Sequence, residues 1–576
     1  MKKIIYIILI ALALPVFNSC EDFLTTKSYT TKDENSFPIS EKDANQMLVG
    51  VYAILNVSHA QGIHTWHFIS EVVSDDRFGG GGENDKAMQA ISHLMFSDID
   101  QFSDFWNRRY QGISRATSAL DALGNMEDGD LKNQKLGEAR FLRAHYYFEL
   151  VQLLGDIPLI TELPADVSQT AESPPQVSQE EVFSAIATDL WTAYSTMPAV
   201  KFGTGSMPVS GTVTKWAAAG LLARVYLFYT GFYGKGSLPM EGGDLTTAMV
   251  TAALEDCMNN SGHALLPDYR SLWPYSNSLT KKDYEFASDA PNWVEGNKNS
   301  EVIFAIKMNA LGDWGTTVGY SNSNALFFGI RDQSTDYKAI FPMGQGWGGG
   351  PVNSKLWDQW PVNDIRRMAS IYNQEVEAKS YKWGNDSQME ETGMWQKKVI
   401  ATTAYGKGGN PENLWRSFWS APEFGNRPGD DGQLGHGADL IQIRFADVLL
   451  MHSELTKTTR GINEVRARAK LDPIGAYSDN ALRNERRYEL AFEGLRWGDI
   501  RRWGIAGDAL NAIYGTPIRN RGLTTAMKAQ GPGLKARYEA TKGFFNKPDR
   551  EISLADGALI QNPGWGAEAV FNAWIE

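Results

Sequence analysis

Apolar residues recur at helical spacing through most of the first 260 residues, and this pattern limits the possible folds more than any other feature of the sequence. Residues 41–57 carry alanine, leucine, valine and tyrosine three or four positions apart, as on one face of an amphipathic helix. Three later segments show the same spacing: residues 138–154, 178–194 and 215–232. Ser178 and Glu181 add the pattern of a capping box. We therefore expect residues 41–260 to be helical.

Short turns rich in glycine, proline and aspartate separate these segments into pairs. Paired helices with short connections predict a tetratricopeptide-like scaffold of helical hairpins, although the repeat is degenerate. In the remaining region, 261–576, helical spacing fades over residues 261–421, where glycine, asparagine, proline and tryptophan become common. It returns over residues 439–503, in three segments: 439–457, 461–469 and 480–503. The predicted fold is mostly α, with a large irregular, aromatic-rich loop region.

The N-terminus predicts export. Lys2 and Lys3 precede an apolar run, residues 4–17, which is shorter than the roughly 20 residues that span a membrane. We interpret residues 1–19 as a secretory signal peptide. Cys20 follows it, in the position where lipoproteins receive a diacylglyceryl group, and residues 20–40 read as a polar, lipidated tether. The alternative is that Cys20 is incidental and the peptide is cut elsewhere.

Cysteine content agrees with the lipid interpretation. The other cysteine is Cys257, so an exported chain of 576 residues is not stapled by disulfides. Several acyl chains on Cys20 would anchor the chain durably, which a single chain does not. The pattern, with the acidic pair Glu21 and Asp22 after the cysteine, resembles surface-exported lipoproteins of the Bacteroidetes. This resemblance implies that the chain is lipid-anchored in the cell outer membrane and exposed at the cell surface.

Charge and motif content exclude several classes of function. Removal of the signal takes away two lysines and no acid, which moves the formal net charge from -13 to -15. A surface of that sign repels phosphate backbones, so we expect no nucleic-acid partner. The segment 344–349 fits G-x-G-x-x-G, but no strand precedes it and Pro351 follows, so a dinucleotide site is not indicated. His64 and His67 lack metal-site spacing, and residues 98–104 lack the glycine and glutamate of a calcium loop. We predict no cofactor and no metal.

Five segments carry a specific resemblance, and they occur in order through the mature chain: residues 138–159, 441–451, 463–469, 485–504 and 561–565. They resemble the signature segments of the SusD/RagB family, whose members are outer-membrane lipoproteins that bind nutrients beside a TonB-dependent transporter. The resemblance implies a SusD-like fold and a SusC-like transporter as partner. One departure lies at residues 452–462, where the family's helical hairpin is longer, which puts a partner contact there in doubt.

The signature segment 485–504 itself predicts scaffold. Its glutamates and arginines are spaced for ion pairs at i,i+3 and i,i+4, and a charge-rich segment in a packed interior needs its arginines paired. Transporter contact is the alternative role.

Ligand residues are predicted from two sources. By resemblance, the segment 70–78 matches the family region where an acidic residue and an arginine touch glycan, which implies roles for Asp75, Asp76 and Arg77. Trp106 matches an aromatic position near that site, with core packing as the alternative. From the residues themselves, ten of the 18 tryptophans lie between Trp273 and Trp419, and aromatic rings suit the apolar face of a sugar. We select three aromatic residues of this region as candidates for stacking on a sugar, with core packing as the alternative for each: Trp314, Tyr320 and Trp347.

The resulting hypothesis is a non-enzymatic surface protein that binds nutrient oligosaccharides or polysaccharides and delivers them to the transporter. One alternative keeps fold and partner but replaces the cargo with peptides or glycoproteins. Another is a surface glycoside hydrolase, whose catalytic carboxylate pair would come from among the 68 aspartates and glutamates of the chain.

Overall fold

The computed structural model describes most of the chain from residue 40 onward. The described ranges are 40–60, 62–97, 100–162, 174–204, 211–312, 321–331, 337–377, 380–381, 383–384, 387–407, 414–425 and 434–571. No helix within them has the length and apolarity needed to cross a membrane.

The region between residues 40 and 260 is helical, as its spacing predicts. Its helices are α1 (Glu41–Ala60), α2 (Trp66–Val72), α3 (Lys86–Ser92), α4 (Ser103–Leu123), α5 (Asp130–Leu154), α6 (Gln179–Thr196), α7 (Lys215–Tyr233) and α8 (Thr247–Asn260). The predicted capping box opens α6, where the side chains of Ser178 and Glu181 each accept from the other's backbone N–H. Threonines at positions 65, 214 and 246 cap α2, α7 and α8, where each side chain accepts one hydrogen bond from a backbone N–H in the first turn of the helix.

The long helices pack in chain order. Helix α1 lies on α4, and contacts then run from α4 to α5, α5 to α6, α6 to α7 and α7 to α8. Helix α5 is the centre of this layer, because its side chains from Phe141 to Leu154 are all buried. Together with the main core cluster, this arrangement confirms the prediction of a mostly α fold.

The region after α8 is irregular, as predicted. Its described helices have six residues or fewer: α9 (Asn324–Phe327), α10 (Tyr337–Ile340), α11 (Ser354–Gln359), α12 (Ile365–Ser370) and α13 (Gln374–Glu377). Five two-stranded antiparallel sheets occur in the described chain, and they pair β1 (Ile157–Pro158) with β2 (Gln176–Val177), β3 (Leu238–Met240) with β4 (Gly243–Leu245), β5 (Val302–Ile306) with β8 (Leu440–Arg444), β6 (Ile371–Asn373) with β7 (Met394–Gln396), and β9 (Pro517–Asn520) with β10 (Leu523–Ala526).

Helices return near the C-terminus, with two corrections to the predicted bounds. They are α14 (Phe445–Thr456), α15 (Arg460–Arg468), α16 (Asp479–Glu489), α17 (Arg496–Arg502), α18 (Ala506–Asn511), α19 (Leu534–Thr541) and α20 (Asp549–Leu554). The predicted helix 439–457 was wrong at its start, because residues Leu440–Arg444 pair as β8 with β5 and tie the irregular region to the segment that leads into α14.

The second correction is that the predicted helix 480–503 is broken between Glu489 and Arg496. In a continuous helix the carbonyl oxygen of Glu489 would accept from the N–H four residues later. Here it accepts from three side chains instead: Tyr269 Oη at 3.0 Å, Lys398 Nζ at 3.1 Å and Arg444 Nη2 at 3.0 Å. Phe492 and Gly494 then turn the chain with positive φ angles.

A buried ion-pair network surrounds this break. The Glu489 carboxylate forms ion pairs with Arg366 Nη1 at 3.0 Å and with Arg444 Nη1 at 2.9 Å, and it also contacts Arg468. Burial alone would raise the pKa of Glu489, but the charges of these arginines outweigh it and hold the pKa far below its usual value. The glutamates therefore find their partners across the fold, and not at the i,i+3 and i,i+4 positions within the segment that the sequence had suggested.

Replacing Glu489 with glutamine keeps the side-chain shape and removes the negative charge that faces the three arginines. A buried ion pair that loses one partner leaves the other charges uncompensated. We therefore expect Glu489→Gln to lower the free energy of unfolding by about 3–5 kcal/mol, measured by denaturant titration.

Glu464→Gln is the matched control. Glu464 pairs with Arg460 at 3.2 Å on the surface, where the two side chains are 43% and 54% exposed. Exposed pairs of this kind contribute below about 1 kcal/mol. Equal losses in the two variants would contradict the role assigned to the network.

Candidate functional site

Asp75 and Asp76 follow α2 and point into the protein. The Asp75 carboxylate accepts hydrogen bonds from Arg496 Nε at 2.7 Å and Arg496 Nη2 at 2.8 Å. The Asp76 carboxylate accepts one from Arg487 Nε at 2.8 Å. The two aspartates are 6% and 2% exposed, so their charges are already compensated in the interior. Burial opposes ionisation of Asp75, but the charges of Arg496 and Arg487 prevail and hold its pKa well below the usual value.

Arg77 is also buried, at 1% exposure, and it braces a loop. Its Nε donates to the carbonyl oxygen of Gly350 at 2.7 Å, and its Nη1 lies 3.2 Å from Glu71 Oε2. The guanidinium also lies 3.8 Å from the ring centroid of Phe328. The assignment of Asp75, Asp76 and Arg77 as glycan contacts stays a prediction that this burial does not favour. What the geometry gives them is a positioning role.

The loop that Arg77 braces is one of two glycine-rich segments, which pair with each other. The Gly81 amide donates to Gly348 at 2.9 Å, and the Gly350 amide donates to Gly79 at 2.9 Å. Gly80 and Gly350 both have positive φ, and a Cβ on Gly80 would lie 2.3 Å from Pro351. The glycines at 344–350 are therefore used for close backbone approach, in agreement with the rejection of a dinucleotide loop.

Trp347 lies on this paired loop. We define the Trp347 platform by four residues: Trp347, Phe327, Arg331 and Asp85. The Trp347 ring is half-buried and lies 4.7 Å from the Phe327 ring, centroid to centroid, at an angle of 60°. Arg331 Nη1 donates to Asp85 Oδ2 at 2.8 Å, and these side chains are 29% and 31% exposed. Arg331 Nη1 also lies 3.4 Å from the backbone carbonyl oxygen of Trp347, which places this partly exposed donor and acceptor next to the backbone that carries the ring. The sequence selected Trp347 but missed Arg331 and Asp85, which carry no local signal.

The remaining predicted residues divide into two groups. Trp106 is 6% exposed and its ring packs at 4.7 Å on Tyr110, so core packing, the alternative reading, describes its surroundings and its glycan role stays a prediction. Three residues lie outside the described part of the chain: Cys20, Trp314 and Tyr320. Of the nine described tryptophans between Trp273 and Trp419, five are buried and four half-buried.

A cleft lies between the irregular region and the helical layer. This cleft encloses about 1240 Å³ of non-protein space, part of it open to solvent, and we call it the aromatic cleft. Its lining includes His67, Trp273, Trp293, Phe418, Trp419 and His436. The tryptophan enrichment of residues 261–421 pointed to this region, but spacing along the chain does not reveal which rings converge.

A histidine and carboxylate group with metal-ligand spacing occurs in the core of the described chain. His59 Nε2 and His145 Nε2 face Glu149 Oε1 at 2.8 and 3.3 Å, and all three residues are buried. Arg109 Nε lies 2.9 Å from the other carboxylate oxygen. Burial would raise the pKa of Glu149, but His59 and Arg109 outweigh it and hold the pKa well below its usual value. A guanidinium beside the carboxylate supplies the positive charge that a cation would otherwise bring, so we interpret the group as a paired core cluster.

Two family models match the chain in succession. Residues 22–227 match a SusD-like family described as "Starch-binding associating with outer membrane", and residues 335–565 match the SusD family model, SusD_RagB. Among curated proteins, SusD-like protein P2 of Formosa agariphila is 26% identical over 513 residues, covering 84% of this chain and 85% of the relative. A SusD-like protein of Bacteroides ovatus is 24% identical and covers 70% of this chain and 66% of the relative.

Solved structures agree on the fold. Surface glycan-binding protein A from Bacteroides fluxus superposes with a TM-score of 0.68 at 24% identity, over 91% of this chain and 100% of that one. A laminarin binding SusD-like protein gives 0.67 at 24% identity, over 91% and 99%. Surface glycan-binding protein A from Bacteroides thetaiotaomicron, in complex with laminarihexaose, gives 0.67 at 17% identity, over 90% and 99%. With both family models matched in order and the fold shared over 91% of the chain, this chain belongs to the SusD/RagB family.

Proposed function

We propose that this chain captures nutrient oligosaccharides non-covalently at the cell surface and delivers them to a TonB-dependent outer-membrane transporter. The observation that carries the proposal is the Trp347 platform, in a fold shared with proteins whose names state glycan or laminarin binding. Acylated Cys20 is the proposed anchor, and a SusC-like transporter is the proposed partner.

The platform offers both contacts that a sugar needs. The apolar C–H face of a pyranose packs on an indole ring, while its hydroxyls pair with charged donors and acceptors at the rim. Trp347 supplies the ring, and Arg331 and Asp85 supply the rim. These polar groups are partly solvated, so each contact contributes modestly and binding is expected to be weak to moderate.

The sign of the overall charge favours neutral cargo. The formal net charge of the whole chain is -13, and an anionic polysaccharide would have to overcome this field. Laminarihexaose is a neutral oligosaccharide, and it is the ligand named for one structural relative, which makes it a suitable first probe.

The two rival functions are outcomes of the same experiment. A panel of neutral oligosaccharides and peptides is presented to the mature chain, and the unbound fraction is chromatographed for shorter products. Capture of intact oligosaccharide supports the proposal. Capture of peptides alone would show that the cargo is peptide. Release of shortened oligosaccharides would show that the chain is a hydrolase.

Trp347→Ala removes the ring of the platform. Loss of one stacking ring costs roughly 1.4 kcal/mol, so we expect affinity for the captured oligosaccharide to fall about tenfold. Isothermal titration calorimetry measures this change. Trp191→Ala is the matched control, because Trp191 is likewise half-buried and packs on Tyr194 of α6 in the helical layer. Unchanged affinity in Trp347→Ala would remove the platform from the proposal.

Gly350→Ala tests whether the braced loop positions the ring. A Cβ there would lie 2.4 Å from Arg77 Nη2, in a backbone with φ of +61°. We expect severalfold weaker oligosaccharide binding, because the loop that carries Trp347 must shift. Gly234→Ala is the control, since its φ of +64° is similar and no atom lies within 4 Å of the added Cβ. Both substitutions carry left-handed strain, so equal effects on binding would show that strain alone accounts for the loss.

Cys20→Ala tests the anchor. Several acyl chains are needed for durable attachment, and the substitution removes the sulfur that would receive the diacylglyceryl group. We expect the wild-type chain to incorporate labelled palmitate and to sediment with outer membranes, whereas the variant remains in the soluble fraction. Membrane retention of an unlabelled variant would refute anchoring through Cys20.

A further inference from the structure

The aromatic cleft is separate from the Trp347 platform. The four residues of the platform do not line it. Its walls come mainly from the irregular region and from the segment before β8, and the helical layer contributes His67 of α2 and residues before α7. Phe202, Glu295 and Asn297 lie at its solvent-exposed side, since each of them is half-buried or exposed. The cleft therefore combines a solvent-facing mouth with buried walls.

Three polar atoms in these walls have no hydrogen-bond partner within the described part of the chain. They are Nε2 of His67, Nε2 of His436 and Nε1 of Trp273. The three side chains are only 2%, 4% and 2% exposed. Buried polar groups are normally hydrogen-bonded, and leaving one unsatisfied costs about 1–3 kcal/mol. Three such groups around one cleft mark it as a place where a polar molecule completes the structure.

Both histidines are neutral at physiological pH. Burial, with a smaller effect of the Arg77 charge, lowers the pKa of His67 to about 3, and burial lowers the pKa of His436 to about 4. A neutral imidazole carries one N–H and one lone pair. A hydroxyl group both donates and accepts, so it can satisfy either tautomer, whereas a carboxylate or an ammonium ion can satisfy only one.

Aromatic rings supply an apolar wall of the same cleft. Trp293 is half-buried and meets the edges of Phe418 and Trp419, with ring centroids 5.8 and 5.6 Å apart. The rings of Phe202 and His263 lie 4.9 Å apart, centroid to centroid, and both residues also line the cleft. Pockets that bind small molecules combine such apolar walls with a few convergent polar groups.

Four of the five charged side chains that line the cleft pair with one another, and the fifth, Glu295, is exposed at the mouth. Lys398 Nζ lies 2.6 Å from Glu493 Oε1, and Lys307 contacts Asp439. A charged ligand would have to break one of these pairs or enter without a counter-charge, which is costly in a buried site. The lining therefore selects a neutral ligand.

We infer that the aromatic cleft is a second binding site, which takes one neutral sugar ring, either a free monosaccharide or the terminal unit of a captured chain. The indole and phenyl rings receive the C–H face, and the two imidazoles and the Trp273 N–H meet hydroxyl groups. The choice of a sugar rests on the proposed function, while the selection of a neutral hydroxylated ring rests on the cleft alone.

The test uses the full mature chain labelled with 5-fluorotryptophan and observed by fluorine NMR. Trp293→Phe and Trp347→Phe identify the resonances that report on the cleft and on the platform. Glucose, galactose, mannose and xylose are added at up to tens of millimolar, because a ligand with few contacts binds weakly. We expect at least one of them to shift the Trp293 resonance saturably.

Two variants connect that shift to the cleft. His436→Phe removes one of the unsatisfied nitrogens, and Asn297→Trp narrows the mouth from an exposed position that tolerates the change. We expect each to weaken the Trp293 response at least tenfold. Asn292→Trp is the matched control, since Asn292 is exposed nearby and does not line the cleft.

The outcomes separate the inference from the proposed function. If no monosaccharide moves the Trp293 resonance, the second site is refuted, whatever the oligosaccharide panel returns. If the resonance moves equally in Asn297→Trp and Asn292→Trp, the response does not come from the cleft and the inference also fails. If Trp293 responds but no oligosaccharide is captured at Trp347, the cleft stands and the proposed function falls.

Discussion

The constraint on which the architecture depends is the need to pair several charges inside the protein. Glu489 has no exposed surface, yet three arginines converge on it from α12, β8 and α15. Since an unpaired charge in the interior is costly, these segments must arrive together. The network thus ties the irregular region to the C-terminal helices, and it explains why the signature segment breaks as a helix after Glu489.

The same break connects the interior to the proposed ligand surface. The amide of Gly494, within the break, donates to Glu71 at 2.7 Å, and Glu71 pairs with Arg77. Arg77 in turn holds the carbonyl oxygen of Gly350, on the loop that carries Trp347. A loop that must present an aromatic ring would lose conformational entropy on binding if it were free. Bracing it through buried charges reduces that loss.

The two proposed sugar sites use different physics. At the platform, Trp347 works with the partly solvated pair of Arg331 and Asp85, so hydroxyl contacts replace contacts to water at small net gain. In the aromatic cleft, the polar atoms of His67, His436 and Trp273 are already removed from water without a protein partner. A hydroxyl there gains a hydrogen bond without a further desolvation cost on the protein side. The two sites therefore differ in how much free energy a hydroxyl contact contributes to binding.

The helical layer, the irregular aromatic-rich region and the family could all be predicted from the sequence, because spacing and signature segments are local properties of the chain. The capping box at Ser178 and the buried face of α5 follow from such local patterns. Which charges meet depends on the folded chain: the family resemblance implied glycan contacts for Asp75 and Asp76, and in the structure these two residues pair with arginines over 400 positions away. Likewise, Arg331 and Asp85, 246 residues apart, have no spacing that predicts their contact. Long-range pairing depends on how layers pack, and packing is a property of the whole chain that no local window contains.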